Sequence, residues 1–190
     1  MKKIFFAFLP VFVISGFNIF IYGQSNANHA ADSAVKIDTR HFHNLWKVSD
    51  SLYRSEQPTE GDYVYLQHKL AVKSILNLCP VPDDTAQMAK CKLIEFNVPM
   101  NAESINDNQI ISALKDMMNA PKPLLVHCYQ GSDRTGVVIA MYRIIFDNWT
   151  KEQAIKEMED GGFGFHKGNT NIIHYIEKAD IEKMKKKLTK

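Results

Sequence analysis

The sequence carries almost no net charge and no grouping of metal-ligating side chains. Its 23 lysine and arginine residues nearly balance 21 aspartate and glutamate residues, which leaves a formal net charge of +2 over 190 residues. This balance gives no general basis for binding nucleic acid. Histidine and acidic residues do not recur at the spacing of metal ligands, so we expect no metal, no other cofactor and no metal-dependent chemistry.

Internal repeats and signs of a second domain are also missing from the sequence. A length of 190 residues suits one domain of ordinary size. The 45% hydrophobic and 11% aromatic content is enough to fill a core, and 23% charged residues suit a soluble surface. We therefore expect one folded domain.

The first residues have the order of an export signal. Two lysines precede an apolar stretch from Ile4 to Tyr22, and small and polar residues follow it. We expect residues 1–24 to be a signal peptide or an N-terminal membrane anchor, and the protein to be exported, either periplasmic or secreted. No cysteine lies near the end of this stretch, which excludes a lipid-modified amino terminus. Residues 25–44 are polar and without periodicity, so we predict a linker, with the folded domain spanning residues 45–190.

Beyond the linker, β-type runs alternate with segments of helical spacing. Residues 72–78 and 93–98 are short apolar runs typical of strands, and a last helix is expected from Asn171 onward. Strands that alternate with helices imply a parallel sheet covered on both sides. We predict the α/β class, a single domain with a central, mostly parallel, twisted sheet of four to five strands flanked by helices. Three helix starts carry capping patterns: Thr59 with Asp62, Asn106 with Gln109, and Thr150 with Gln153.

Residues 123–136 are the stretch around which the chain is organised. An apolar run ends in His127-Cys128, a short loop passes through Gly131, and a long apolar segment extends from Val137 to Phe146. This order predicts a buried strand, a tight loop and a buried helix. Such a loop turns backbone N–H groups inward, and the helix start adds partial positive charge. We therefore expect a binding site for an anion.

Cys128 and Arg134 stand at the two ends of this loop, with five residues between them. Inward N–H groups and a helix terminus favour the thiolate of a cysteine, which is its nucleophilic form. The planar fork of Arg134 matches two oxygens of a phosphate. The same loop therefore offers a nucleophile and binds the group that the nucleophile attacks.

The pattern His-Cys-x-x-Gly-x-x-Arg-Thr-Gly, at residues 127–136, resembles the signature loop of the cysteine-dependent protein tyrosine and dual-specificity phosphatases. Residues 53–58, 74–78 and 97–100 are further similar to the small bacterial branch of that superfamily. The resemblance covers roughly residues 45–165. It implies a phosphomonoesterase that works through a phosphocysteine intermediate on Cys128 and needs no cofactor.

The resemblance also implies roles for two neighbours of the nucleophile. His127 is expected to orient the loop by hydrogen bonding and to help hold the thiolate. Thr135 is expected to donate its hydroxyl to the sulfur when the phosphocysteine is hydrolysed. Either residue would also fit a purely structural role, as a satisfied buried histidine or a residue of the first helical turn.

The general acid is the least defined member of the site. Relatives carry an aspartate on the loop that follows the strand matching residues 93–98, but here no aspartate stands directly after Pro99. Asp107 is our first candidate, followed by Glu103 and Asp133. A carboxylate at Asp107 is also favourable for a structural reason, because it lies in the first turn of a predicted helix.

Five loop positions are expected to contact the substrate: Tyr129, Gln130, Gly131, Ser132 and Asp133. None is basic, whereas relatives that act on multiply phosphorylated inositol lipids commonly have lysines there. We therefore predict hydrolysis of phosphotyrosine and/or phosphoserine/threonine, with a phosphorylated protein or a small phosphomonoester as partner. One alternative is a phosphoinositide or inositol phosphate phosphatase with the same mechanism. Another is a catalytically dead phosphate-binding module, although the presence of Cys128, Arg134 and Thr135 argues against it.

Cys79 ends a strand that we expect beside the one that leads to Cys128. A thiol next to a reactive thiolate is the arrangement of a reversible oxidation switch. A structural disulfide between Cys79 and Cys91, favoured in an oxidising compartment, is an alternative. A third is that Cys79 only fills space at the end of its strand.

The segment 161–166, Gly-Gly-Phe-Gly-Phe-His, is rich in glycine and aromatic residues. We expect a tight turn with buried phenylalanines in preference to the wall of a pocket.

Overall fold

The computed structural model describes residues 33–81, 86 and 88–189. Within these residues six strands and six helices follow one another. They are β1 (Val35–Lys36), β2 (Trp46–Ser49), β3 (Leu52–Ser55), α1 (Glu60–Lys69), β4 (Ser74–Asn77), β5 (Ile94–Asn97), α2 (Asp107–Asn119), β6 (Leu124–His127), α3 (Asp133–Phe146), α4 (Lys151–Asp160), α5 (Thr170–Lys178) and α6 (Ile181–Leu188).

The strands form one sheet in the order β1-β2-β3-β6-β4-β5. Strands β3, β6, β4 and β5 are parallel neighbours, and β1 and β2 extend the sheet in antiparallel fashion beyond β3. Strand β6 therefore lies between β3 and β4, with all four of its residues buried. The predicted α/β class with a mostly parallel sheet is confirmed, but the sheet has six strands where we predict four to five, because the two-residue strand β1 pairs with β2.

Helices cover both faces of the sheet, and the alternation of side chains along each strand determines which face a residue serves. On β6, Leu124 and Val126 pack into the larger core cluster, which also contains residues of α2 to α6. Leu125, between them, packs into the second cluster with Tyr63 and Leu66 of α1. One helix thus covers one face, and five helices cover the other.

The predicted capping pairs at α4 and α2 form different hydrogen bonds. At α4, Thr150 Oγ1 accepts from the Gln153 N–H at 3.2 Å, and Gln153 Oε1 accepts from the Thr150 N–H at 2.8 Å. At α2, the side chain of Asn106 accepts from the N–H groups of Asn108 and Gln109. The Gln109 side chain bonds the Asn106 amide instead of its backbone, so only half of that capping box forms.

Two expectations about the ends of the domain are wrong. Strand β1 lies inside the predicted linker, and Phe42 within the same stretch is buried, so ordered structure begins before Leu45. The single last helix predicted from Asn171 is instead two helices, α5 and α6. Asp180 separates them, because its side chain accepts from the Lys183 N–H at 3.0 Å and starts the second helix.

The expected signal or anchor, residues 1–24, lies outside the described residues. None of the helices that the structure does describe is both long and apolar enough to cross a bilayer.

Candidate active site

Three buried strand ends meet at one edge of the sheet. His127 at the end of β6 is in register with Ser55 of β3 on one side and with Asn77 of β4 on the other. The N–H of Leu78 donates to the carbonyl oxygen of His127 at 2.9 Å, so β4 and β6 remain paired to their last residues. Ligands of parallel sheets bind beyond such carboxyl ends. The loop of residues 128–132 leaves the sheet here, between β6 and α3.

Gly131 allows this loop to turn tightly against β3. Its φ angle is +72°, in the region that favours glycine. A Cβ atom at this position would stand 2.5 Å from the carbonyl carbon and oxygen of Ser55, which belong to the backbone and cannot rotate away. The loop is also fastened by the N–H of Gln57, which donates to the carbonyl oxygen of Tyr129 at 3.1 Å. Glycine at 131 is therefore required by close packing as well as by backbone conformation.

Cys128, Arg134 and Thr135 come together around this loop. Cys128 is buried at its base, and Asp133 begins α3, so the positive end of that helix faces the loop. The Thr135 hydroxyl is fully buried and has no hydrogen-bond partner among the described residues. Arg134 is half-buried. A buried hydroxyl without a partner, next to a helix terminus, is ready to donate to an anion such as a thiolate or a phosphoryl oxygen.

His127 holds the loop from the strand side. It is fully buried, and its Nδ1 lies 3.4 Å from the carbonyl oxygen of Cys128. The loop-orienting role of the ring stays a prediction.

The segment 161–166 docks directly on the signature loop. The carbonyl oxygen of Phe163 accepts from the Ser132 hydroxyl and from the Asn44 side-chain amide, both at 2.9 Å. The same amide group of Asn44 donates to the carbonyl oxygen of Gln130 at 2.9 Å. Phe163 and Phe165 are buried, as we predict, but the turn that carries them also supports the loop.

Asp133 makes a second connection to this segment. Its Oδ1 accepts from the backbone N–H of His166 at 3.0 Å, and its Oδ2 lies 2.8 Å from the ring Nδ1 of His166. The side chains of Ser132 and Asp133 therefore bond the 161–166 segment, which differs from the substrate contacts that we predict for them. Tyr129 and Gln130 are exposed beside the loop, and their predicted contact with substrate stays a prediction.

Arg54 of β3 is a further supporting residue; it lies in the 53–58 segment of the resemblance, but we predicted no role for it. Its side chain is buried and its Nη2 donates to the carbonyl oxygen of Gly131 at 2.8 Å. Asn44 and Phe163 were not predictable as loop contacts either, because the bonds that they make to the loop join residues tens of positions apart. The sequence feature that could have identified Arg54 was a charged residue within a strand.

The three candidate acids occupy different surroundings. Asp107 is half-buried at the start of α2, and its Oδ1 accepts from the Tyr175 hydroxyl of α5 at 3.2 Å. Glu103 is exposed, and its backbone N–H donates to the side chain of Asn101. Asp133 is bonded to His166. The assignment of the acid to Asp107 stays a prediction.

No disulfide joins any two of Cys79, Cys91 and Cys128 in the described structure, so the alternative Cys79–Cys91 disulfide is not formed. Cys79 is buried at the end of β4, and its Sγ lies 3.5 Å from Oε1 of Gln57. Gln57 also bonds the loop at Tyr129. Cys79 therefore lies next to residues that hold the loop, and the predicted redox role stays a prediction.

The described residues contain no group of three histidine, cysteine or acidic side chains arranged to hold a metal ion.

A family model described as the tyrosine phosphatase family matches residues 41–190. The chain is 33% identical over 141 residues to the dual specificity protein phosphatase TpbA of Pseudomonas aeruginosa, which covers 73% of this chain. It is 30% identical over 152 residues to the inositol diphosphatase SIW14 of Saccharomyces cerevisiae, which covers 75% of this chain. The chain spans 64% of the length of the first relative and 53% of the second.

Solved structures agree with these relationships. A crystal structure of TpbA superposes with a TM-score of 0.76 at 30% identity, covering 85% of this chain and 99% of that one. A cysteine-to-serine variant of TpbA, crystallised in complex with phosphotyrosine, gives the same TM-score and covers 84% and 98%. The catalytic core of SIW14 in complex with citrate superposes with a TM-score of 0.65 at 26% identity, covering 80% and 93%.

The matched residues contain strands β2 to β6, all six helices that the structure describes and the loop that joins Cys128 to Arg134. This chain belongs to the tyrosine phosphatase family.

Proposed function

We propose that the protein hydrolyses phosphotyrosine and/or phosphoserine/threonine through a phosphocysteine intermediate on Cys128. The observation that carries this proposal is the loop between β6 and α3. It brings together a buried cysteine, the N-terminus of a helix and a buried Thr135 hydroxyl without a partner in the described structure. Arg134 gives the phosphate a planar, charged partner. Cys128 is the residue that a catalytically dead phosphate-binding module would not need to keep.

The first half of the reaction transfers the phosphoryl group to sulfur. The Cys128 thiolate attacks phosphorus, an S–P bond forms, and the P–O bond to the leaving group breaks. Arg134 and the loop N–H groups hold the three non-bridging oxygens, where they stabilise the transition state electrostatically. A carboxylic acid, Asp107 in our assignment, gives its proton to the leaving oxygen.

The second half releases phosphate. Water attacks phosphorus, the S–P bond breaks, and the electron pair returns to Cys128 as a thiolate. The carboxylate that gave up its proton takes one from the attacking water, so the acid is restored. The Thr135 hydroxyl, buried and unpaired within the described residues, donates to the departing sulfur and stabilises its charge.

Substrate preference is expected to depend on the exposed residues beside the loop. Tyr129 is 70% exposed and Gln130 is exposed, and both are uncharged. An aromatic ring at the rim favours contact with an aryl group such as the ring of phosphotyrosine. The complex of TpbA with phosphotyrosine, at 30% identity, supports this choice.

An inositol phosphate is the second candidate substrate. It is favoured by the 30% identity to SIW14, which is an inositol diphosphatase. It is opposed by the loop itself, because positions 129–133 carry no basic side chain to attract further phosphate groups and Asp133 adds a negative charge. We therefore place it behind protein phosphomonoesters.

The test is hydrolysis of a panel that contains a phosphotyrosine peptide, a phosphothreonine peptide, monophosphoinositides, and polyphosphorylated inositols. We expect the phosphotyrosine peptide to have the highest kcat/KM. Cys128→Ser should lower turnover at least about a thousandfold while the variant still binds substrate. Arg134→Ala should weaken both binding and turnover.

The matched control is Cys91→Ser, which removes a thiol that packs in the second core cluster. It should retain turnover. Hydrolysis that survives Cys128→Ser would contradict the proposed mechanism, and a preference for polyphosphorylated inositols would replace the substrate assignment.

A further inference from the structure

Arg54 is a buried cation without a carboxylate partner at ion-pair distance in the described part of the chain. Only 1% of its surface is exposed, although a charged group is expensive to bury unless something in the structure compensates it. Arg143 is also a buried arginine, but it forms salt bridges with Glu157 and Asp147. The compensation of Arg54 must therefore come from other groups.

The first compensating groups are two carbonyl oxygens of the signature loop. Nη2 of Arg54 donates to the oxygen of Gly131 at 2.8 Å and lies 3.5 Å from the oxygen of Ser132. In a trans peptide the N–H points opposite to the C=O of the same unit. When Arg54 draws these two oxygens to its side, the N–H groups of Ser132 and Asp133 are turned away from it. The Ser132 oxygen also accepts from the N–H of Gly136 at 2.8 Å, at the start of α3, so Arg54 shares that peptide unit with the helix and acts mainly on the Gly131 unit.

The second group is the ring of Phe163, which holds the guanidinium in place. The Cζ atom of Arg54 lies 3.8 Å from the ring centroid, a cation–π contact shielded from water. Trp46 packs edge-on against the same ring, with the two ring centroids 4.7 Å apart. The carbonyl of Phe163 also accepts from Ser132, so the residue that holds Arg54 also holds the loop.

The third group is the nucleophile. Burial lowers the pKa of Arg54 to about 10, while the negative charges of Glu157 and the Cys128 thiolate oppose this decrease. With this pKa, Arg54 remains protonated at neutral pH. In the sheet it is in register with Val126 of β6, two residues before Cys128, so it lies on the strand beside the one that leads to the nucleophile. The interaction is reciprocal, because a cation that a thiolate stabilises also stabilises that thiolate.

We propose that Arg54 is a positioning residue of the reaction, which orients the Gly131–Ser132 peptide unit from beneath the loop and supplies a buried positive charge to the Cys128 thiolate. This role is separate from that of Arg134, which binds the phosphate. The inference rests on the proposed function, because it requires that Cys128 act as a thiolate.

The test compares Arg54→Gln with Arg54→Lys. Both side chains can donate to a carbonyl, but only lysine is charged. The readout is the rate at which iodoacetamide alkylates Cys128 as a function of pH, followed by mass spectrometry of the peptide that carries it. We expect the pH of half-maximal alkylation to rise by about one unit in Arg54→Gln and by clearly less in Arg54→Lys. Near pH 6, kcat/KM of Arg54→Gln should lie below that of Arg54→Lys by up to about tenfold, and this difference between the two variants should shrink as the pH is raised.

Arg143→Gln is the matched control. Arg143 is likewise buried, stacks on the ring of Trp149 at 4.5 Å and lies within reach of a backbone carbonyl, that of Val48. This variant should melt at a lower temperature with little change in the alkylation profile. A shift as large as that of Arg54→Gln would show that any lost buried arginine has the same effect, and would overturn the inference.

Other outcomes are equally decisive. If Arg54→Gln folds and alkylates like the wild type, Arg54 is only structural and the inference fails. If Arg54→Gln does not fold, Arg54→Lys decides through kcat, since lysine cannot bond both carbonyls and keep the stack. We expect its kcat to fall about tenfold, and an unchanged kcat would overturn the positioning role. Failure of the proposed function looks different: the wild type itself would alkylate like an ordinary thiol, and Cys128→Ser would remain active.

Discussion

Asp133 and His166 are joined by two hydrogen bonds across 33 positions of sequence, one to the ring Nδ1 at 2.8 Å and one to the backbone N–H at 3.0 Å. Asp133 begins α3, one residue before Arg134, and His166 ends the segment that docks on the signature loop. The carboxylate is 13% exposed and the imidazole 53% exposed. The pair therefore connects the helix that carries Arg134 to the 161–166 segment.

We expect Asp133→Asn and His166→Ala to lower kcat/KM by similar factors, and the double variant to lose little more than either one. Residues joined by a direct hydrogen bond show a coupling of about 0.5–3 kcal/mol in such a cycle. The measurement is kcat/KM of the four proteins on p-nitrophenyl phosphate and on an alkyl phosphate. If Asp133 were the general acid, Asp133→Asn would lose much more kcat/KM on the alkyl phosphate than on p-nitrophenyl phosphate. His166→Ala would not, so the two single variants would differ.

Asp107→Asn should slow the hydrolysis of alkyl phosphates about a hundredfold and that of aryl phosphates much less, because only a basic leaving group needs the proton. Tyr175 donates to Asp107 at 3.2 Å, and burial together with the charge of Asp107 raises the pKa of Tyr175. The tyrosine thus stays protonated, and continues to donate, throughout the working pH range.

Tyr175→Phe is the companion variant, since it removes that hydrogen bond and keeps the carboxylate. We expect a smaller loss than in Asp107→Asn, with the same dependence on the leaving group. Equal losses for aryl and alkyl substrates in Asp107→Asn would move the acid role to Glu103 or Asp133.

Gly131→Ala should abolish turnover. The new methyl group would stand 2.5 Å from the backbone of Ser55, and a φ of +72° is unfavourable for alanine, so the loop must shift. Gly61→Ala is the control, because it lies in α1 with no atom within 4 Å of the new methyl group. That substitution should keep full activity and stabilise the protein by about 0.5–1 kcal/mol. Near-normal activity in Gly131→Ala would show that the loop does not need its tight approach to β3.

Glu157→Gln should destabilise the domain by about 3 kcal/mol, measured by urea unfolding. Its carboxylate bonds Nη2 of Arg143 at 3.0 Å and the N–H of Ala34 at 3.1 Å, so the substitution leaves a buried arginine with weaker compensation. Lys156→Ala is the control, because its salt bridge with Asp160 is exposed and should contribute nothing measurable. An equally small effect of both substitutions would mean that the buried pair contributes no net stability.

Local patterns were enough to predict the chemistry-bearing part of the chain. The apolar run before His127, the glycine at 131 and the apolar segment after Thr135 are each explained by the strand, turn and helix that the structure shows. Capping patterns likewise placed the start of α4 correctly. These features depend on neighbours within a few residues, so the sequence displays them directly.

The supports of the loop depend on distant residues and could not be predicted in this way. Arg54 lies beneath Gly131, 77 positions away, because of the sheet order, which the sequence does not display. Strand β1 has only two residues, which are too few to show a periodic pattern. It forms by antiparallel pairing with the edge of β2. The separation of α5 from α6 depends on a single cap at Asp180.

The loop is fastened at Gly131, Ser132 and Asp133 by residues from opposite ends of the folded chain, namely Arg54, Phe163 and His166. We therefore expect the binding of an oxyanion to require the entire domain, because no shorter fragment keeps both the Arg54 contact and the contacts of Phe163 and His166. Phosphate or vanadate should then raise the melting temperature as a ligand of the native state alone. A chain cut between α3 and α5 is expected to lose phosphate binding completely.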